Sequence, residues 1–274
     1  MNTHRGSTAF GAALGSVLLL ALGVDAKAAD IYDYDSGMKG GYEVPPPPPP
    51  TDRGIYIKGY LGQANSSIGD YTNEVIEAGN FTKLHKDIKS SPLYGIGVGW
   101  RARHWLRFDG TFEYRGDAVL VAHDTYTGTP PGSNDYTADV KGWLGLANVY
   151  WDIYNWCGIT PYVGAGIGWA TLSVNGLRDI NTGNSSAFYA ADKTQTNFAW
   201  ALYAGTSVDV SPQVALDLSY RYVNMGDMSS GVATAYDGSG SYSGMHFKDI
   251  TSNDFLLGVR YKFDSPAPVA YNFK

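Results

Sequence analysis

The 274-residue chain has one cysteine, Cys157, so no internal disulfide can staple it. In an oxidising compartment a lone thiol can pair between chains; the plainer reading, which is the one expected, is a shielded small residue in the turn Tyr154-Asn155-Trp156-Cys157-Gly158. Charged residues are scarce at 17%, and acidic ones outnumber basic ones by 26 to 20, a formal net charge of −6. A shortage of positive charge argues against a nucleic-acid partner, because such binding rests on neutralised phosphates. No apolar run beyond the N-terminal segment approaches the roughly 20 residues of a helical membrane span. What is abundant is glycine (34) and tyrosine (21), a profile that suits strands and turns.

The N-terminus reads as a secretory signal over residues 1–28. His4 and Arg5 form a short basic region, Gly11 to Val24 an apolar one, and Ala26-Lys27-Ala28 the small residues before cleavage after Ala28. Cleavage after Ala26 is the alternative. Residues 29–53 include Pro45 to Pro50, an unbroken proline run. Such a run is a stiff polyproline II spacer with no donors to give a sheet, so 29–53 is expected to be a disordered periplasmic linker.

From Gly54 the chain alternates. In Leu106 to Arg115, the residues Leu106, Phe108, Gly110, Phe112 and Tyr114 point one way, and Arg107, Asp109, Thr111, Glu113 and Arg115 the other. Successive side chains of a strand face opposite sides. In a soluble sandwich the charged face would meet water; in a membrane barrel it fills the interior and the apolar face meets lipid. Eight such segments are expected at about 54–64, 92–101, 105–116, 138–152, 159–171, 196–210, 213–224 and 252–263. The connections alternate between short turns and polar stretches of about 20 residues or more, with both ends of the strand series on the short-turn side. That layout predicts an all-β, eight-stranded antiparallel up-and-down transmembrane barrel over residues 54–263, with 264–274 as a tail. With strand 1 running outward, Trp100, Trp105, Trp151 and Trp156 lie near the short-turn rim, and Trp143, Trp169 and Trp200 near the long-loop rim. Two aromatic girdles would do this sorting.

The interior should hold Lys58, Arg107, Arg115, Arg221, Arg260 and Lys262 against Asp109, Glu113, Asp209 and Asp217. Buried charges must pair, and eight strands enclose a space that side chains can fill, so a packed ion-pair network is expected rather than a pore. Gly95, Gly97 and Gly99, with Gly164, Gly166 and Gly168, alternate with apolar residues. No helix signal follows them, as a dinucleotide motif would need. They read as interior positions left empty for long side chains of other strands. Of the histidines beyond the signal, His104 falls at a short turn and His85, His123 and His246 in long connections. His123 with Asp124, or His246 with Ser243, are only sequence neighbours. No catalytic set, no metal set and no cofactor is predicted. Acidic loop residues could share divalent cations with lipopolysaccharide phosphates.

The segments GIYIKGYLGQA (54–64), YGIGVGW (94–100), LRFDGTFEYR (106–115), LANVYWDI (146–153), TPYVGAGIGWA (160–170) and LLGVRYKF (256–263) resemble the opacity/OmpA-like porin family of small outer-membrane barrels of Gram-negative bacteria. The resemblance implies an outer-membrane location, periplasmic termini, and roles in envelope integrity and surface contact. Its implied partners are outer-membrane lipid, lipopolysaccharide, the barrel-assembly machinery, and host or neighbouring cell surfaces. Family chains usually end on the aromatic that closes the last strand, here Phe263 after Tyr261. This chain continues as DSPAPVAYNFK, and Pro266 and Pro268 break the strand, so assembly is expected to read Tyr261 to Phe263. The function expected is a non-enzymatic envelope barrel that presents surface loops. The alternatives are an adhesin or receptor acting through those loops, a lipid-modifying enzyme, or a narrow channel.

Overall fold

The computed structural model describes residues 54–183 and 185–263. The predicted signal, the proline-rich linker and the tail lie outside the described residues. Eight long strands follow one another: β1 (Gly54–Thr72), β2 (Ser91–Arg103), β3 (Leu106–Tyr126), β4 (Gly132–Asp152), β5 (Ile159–Asn181), β6 (Lys193–Asp209), β7 (Val214–Asn224) and β8 (His246–Lys262). Each pairs antiparallel with the next. β8 returns to pair with β1 from Tyr56 opposite Lys262 up to Thr72 opposite His246. The ring is therefore closed and leaves no sheet edge among its strands. Closure satisfies the backbone polar groups internally, as hydrocarbon requires.

The strands are longer than the sequence pattern indicated. The segment expected at 105–116 continues to Tyr126, 138–152 begins at Gly132, and 159–171 continues to Asn181. The β3–β4 ladder runs to Tyr126 opposite Gly132, interrupted only by a bulge between Arg115 and Ala118. The extensions were hidden because their outer faces meet water. Asp139, Lys141 and Ser173 replace the apolar exterior residues found lower down, so the lipid-facing signal stops while the alternation goes on.

On the outside, an apolar band includes Ile57, Ile96, Val98, Phe108, Phe112, Ile167, Leu202, Leu218 and Leu257, all exposed. On β4 it runs from Trp151 to Trp143, and on β5 from Ile159 to Trp169. Those spacings fit the about 9–11 residues a tilted strand needs to cross hydrocarbon. The inside is layered. Charged and tyrosyl side chains fill the membrane level. Above them Leu93, Leu120, Leu172, Val174, Met225, Phe247 and Ile250 form an apolar core. A short helix (Glu74–Ala78) and a strand (Phe81–Ile88) that pairs with the top of β3 close one side. On the other side, strands Ala187–Ala190, Ala233–Ala235 and Ser241–Tyr242 add to the end of β5 as a small sheet. This sheet is the cap.

Candidate functional site: the barrel interior and its cap

Alternation puts Arg107, Asp109, Glu113 and Arg115 of β3 on the inner face, where all four are buried. Nearest the short-turn end, Arg107 grips Asp152, with Nε 2.9 Å from both carboxylate oxygens and Nη2 2.7 Å from Oδ1. The rings of Tyr150 and Tyr162 flank the guanidinium at 5.1 and 4.8 Å. Lys58 lies 2.6 Å from Asp109, which also accepts from Tyr56 Oη at 3.0 Å and Asn148 Nδ2 at 2.8 Å. Arg260 reaches Asp217 at 3.3 Å and Ser207 at 2.6 Å. At the mouth, Lys262 Nζ is 2.7 Å from Asp209, but there the lumen meets solvent and Asp209 is exposed rather than buried as expected. Higher up, two guanidiniums and two carboxylates converge. Arg115 bonds Asp254 and Glu113 at 2.9 and 3.0 Å, and Arg221 bonds the same pair at 2.6 and 2.7 Å.

Two of these acids, Asp152 and Asp254, were absent from the set named from the sequence. Their parity was legible. Asp254 continues the inner series Leu256, Gly258, Arg260, Lys262, and Asp152 continues Leu144, Leu146, Asn148, Tyr150. The pairing was not legible, because it depends on stagger between strands. Arg107 takes Asp152 from the adjacent strand, whereas Arg115 takes Asp254 across the barrel.

The glycines explain the fit. A Cβ on Gly99 or Gly95 would strike the ring of Tyr56 or Tyr60, and one on Gly166 would strike the Asn148 amide. Between Lys58, Tyr150, Tyr203, Asp217 and Arg221 remains a small cavity with room for water.

All seven tryptophans, Trp100, Trp105, Trp151, Trp156, Trp143, Trp169 and Trp200, are exposed on the outer surface or at the turns. Tyr261 and Phe263 meet edge-on at 5.1 Å, and Phe263 N donates to Ile55 O. Cys157 is exposed, contrary to the expected shielding, with φ +51°. The tight reversal needs that backbone, and it turns the thiol outward. His123 Nδ1 contacts Asp135, not Asp124, at 2.7 Å; neighbours on a strand face opposite sides. Among the described residues, no three His, Cys, Asp or Glu side chains converge as a metal site.

The top of the interior differs. Asp124 Oδ1 accepts from Asn134 Nδ2 at 2.9 Å, and Asn134 accepts from Asn181 at 2.7 Å. Asp179 Oδ2 accepts the Tyr242 hydroxyl of the cap at 2.9 Å. Asp124 Oδ2 and Asp179 Oδ1 are buried without a hydrogen-bond partner. Burial, with the Asp124 and Asp135 charges adding, pushes Asp179 up to about 6 against the opposing Tyr242 hydrogen bond. Burial also raises Asp124, against hydrogen bonds from Asn134 and Tyr136.

A closed ring with a lipid-compatible exterior and a charged, filled interior defines a transmembrane β-barrel. The chain matches the family model of the outer membrane protein beta-barrel domain over residues 16–263, and it belongs to that family and to the outer membrane. It is 31% identical over 228 residues to outer membrane protein PagN of Salmonella typhimurium, covering 77% of this chain and 90% of that one. A candidate adhesin of Rickettsia conorii is 27% identical over 183 residues, covering 65% and 71%. Among solved structures it is similar to the outer membrane protein OprG of Pseudomonas aeruginosa, at 14% identity and a TM-score of 0.49, covering 77% and 97%.

Proposed function

We propose that the protein is a non-enzymatic outer-membrane barrel that strengthens the envelope and presents its extracellular extension as a contact surface. The observation that carries this reading is the division of the molecule. At the membrane level paired charges occupy the interior, while the strands rise well beyond the apolar band and end in a folded cap. The cap exposes Tyr189, Val232 and Tyr236 to solvent. Exposed aromatic and aliphatic side chains grouped above a polar wall are what protein contact surfaces offer. A relative named as a candidate adhesin supports contact with host or neighbouring cells. At the membrane level the exterior tryptophans act as girdles in lipid and lipopolysaccharide, and Tyr261 with Phe263 forms the signal read by the assembly machinery.

The test is the triple variant Tyr189→Ser, Val232→Ser, Tyr236→Ser in a non-adherent Gram-negative host. Cell attachment should fall several-fold while heat-modifiable gel mobility is unchanged. Attachment equal to that of the unaltered protein would overturn the contact surface. Acyl release from purified outer-membrane lipid would overturn the non-enzymatic reading, and a stable conductance in planar bilayers would overturn the closed interior.

A further inference from the structure

The carboxylates beneath the cap are a part of the interior that the envelope role does not use. Asp124 on β3 and Asp179 on β5 face inward across β4, whose Tyr136 lies opposite Asp179 and whose Asn134 lies opposite Asp124. Relative exposures are 0% for Asp124 and 6% for Asp179. Each has one oxygen with no partner. β3 brings His123, which is turned to Asp135. β4 brings Asn134, Tyr136 and the outer Asp135. β5 brings Asn181, β1 brings Tyr71, and the cap brings Tyr242. Lys83 of the outer strand lies opposite Asp124 in register and pairs with Asp70, and its charge works against the rise at Asp124. The helix contributes Glu74, which accepts from Ser243 N of the cap at 3.0 Å. Among the described residues, no Lys or Arg lies within ion-pair distance of Asp124 or Asp179, in contrast to every interior carboxylate at the membrane level.

We propose that this pair is a proton-operated latch: with Asp179 protonated beside Asp124 the cap is closed, and with both ionised it loosens. Two buried carboxylates without a cation repel and lack solvation. A proton on one of them removes one of the two charges and with it the repulsion. Tyr242 couples the pair to the cap, since its buried ring packs on Phe188 at 5.2 Å while its hydroxyl bonds Asp179. When both acids are ionised, solvation requires water, and water enters by lifting the sheet that Tyr242 belongs to. The raised position of Asp179 agrees in sign. A proton bound more tightly in the closed form than in the open one favours closure on acidification and opening as pH rises through about 6.

The experiment is amide hydrogen exchange, corrected for intrinsic rates, on the full chain in lipid nanodiscs at pH 5.0 and 7.5. Amides of residues 187–190 and 233–242 should be at least about tenfold better protected at pH 5.0, a difference of about 1.4 kcal/mol in opening, while β3 amides at the membrane level should not change. Asp179→Asn should give the same high protection at both values. If that variant does not fold, Asp124→Asn, which removes the neighbouring charge, should reduce the difference. A His85→Asn, His123→Asn, His246→Asn triple variant should retain it. Equal protection of the unaltered cap at both pH values would overturn the latch. So would a response that survives Asp179→Asn or vanishes in the histidine variant. Each of these readouts is independent of adhesion, so the latch and the contact surface can fail separately.

Discussion

The membrane-level interior and the chamber beneath the cap hold the same kind of residue in opposite settings. At the membrane level Glu113 and Asp254 are each within hydrogen-bond distance of both Arg115 and Arg221. Beneath the cap Asp124 and Asp179 have amide and hydroxyl donors and, among the described residues, no Lys or Arg within ion-pair distance. A buried carboxylate paired with guanidiniums is a fixed structural charge. A buried carboxylate paired with neutral donors is a charge that can be removed by a proton. The difference separates a rigid plug from a part of the barrel able to respond to its surroundings.

The largest effect should come from breaking the plug. Arg221→Met leaves Glu113 and Asp254 to share Arg115, and an uncompensated buried charge costs about 3–5 kcal/mol. Urea unfolding from lipid vesicles, followed by tryptophan fluorescence, should show that loss. Lys58→Met should cost less, about 2–3 kcal/mol, because Tyr56 and Asn148 continue to bond Asp109. Adding Asp109→Asn should recover most of it, since removing both partners leaves no lone charge. If the double variant is as unstable as the single one, the pair is not the source of the cost. Gly99→Ala tests packing rather than charge. The new methyl meets the Tyr56 ring, and overpacking costs about 1–3 kcal/mol; Tyr56→Leu in the same chain should relieve it.

Beneath the cap the sign reverses. Asp179→Asn removes a charge that has no cation, so stability at pH 7.5 should rise or hold, where the membrane-level variants lose it. In the unaltered protein, the raised Asp179 favours folding on the acid side. That contribution should fade as pH rises from about 4, the ordinary carboxylate range, to about 6. Unfolding midpoints across that range should slope downward in the unaltered chain and less so in the variant. The smallest effect belongs to the surface pair Lys83–Asp70, both partly exposed at 2.6 Å. Lys83→Ala should change the unfolding free energy by no more than about 1 kcal/mol.

Strand alternation alone placed Arg107, Asp109, Glu113, Arg115, Arg221 and Arg260 inside and the apolar residues outside, because a period of two leaves each side chain a single face once one face is assigned to lipid. It also marked Gly95 to Gly99 and Gly164 to Gly168 as space for larger neighbours. It did not follow the strands above the membrane, where water on the outside removes the apolar half of the pattern. Asp124 and Asp179 thus read as loop residues, although each sits on the buried face of a continuous strand.

What the sequence determined by itself was the barrel, its strand number and the inner or outer side of most residues at the membrane level, all local consequences of pleat and turn. Which charge meets which was decided only by tertiary structure. Stagger between strands sends Arg107 to Asp152 on the next strand and Arg115 to Asp254 across the lumen. The cap was also a tertiary matter. Tyr242 and Asp179 are 63 positions apart, and no local rule brings a loop phenol onto a carboxylate left without a counter-ion.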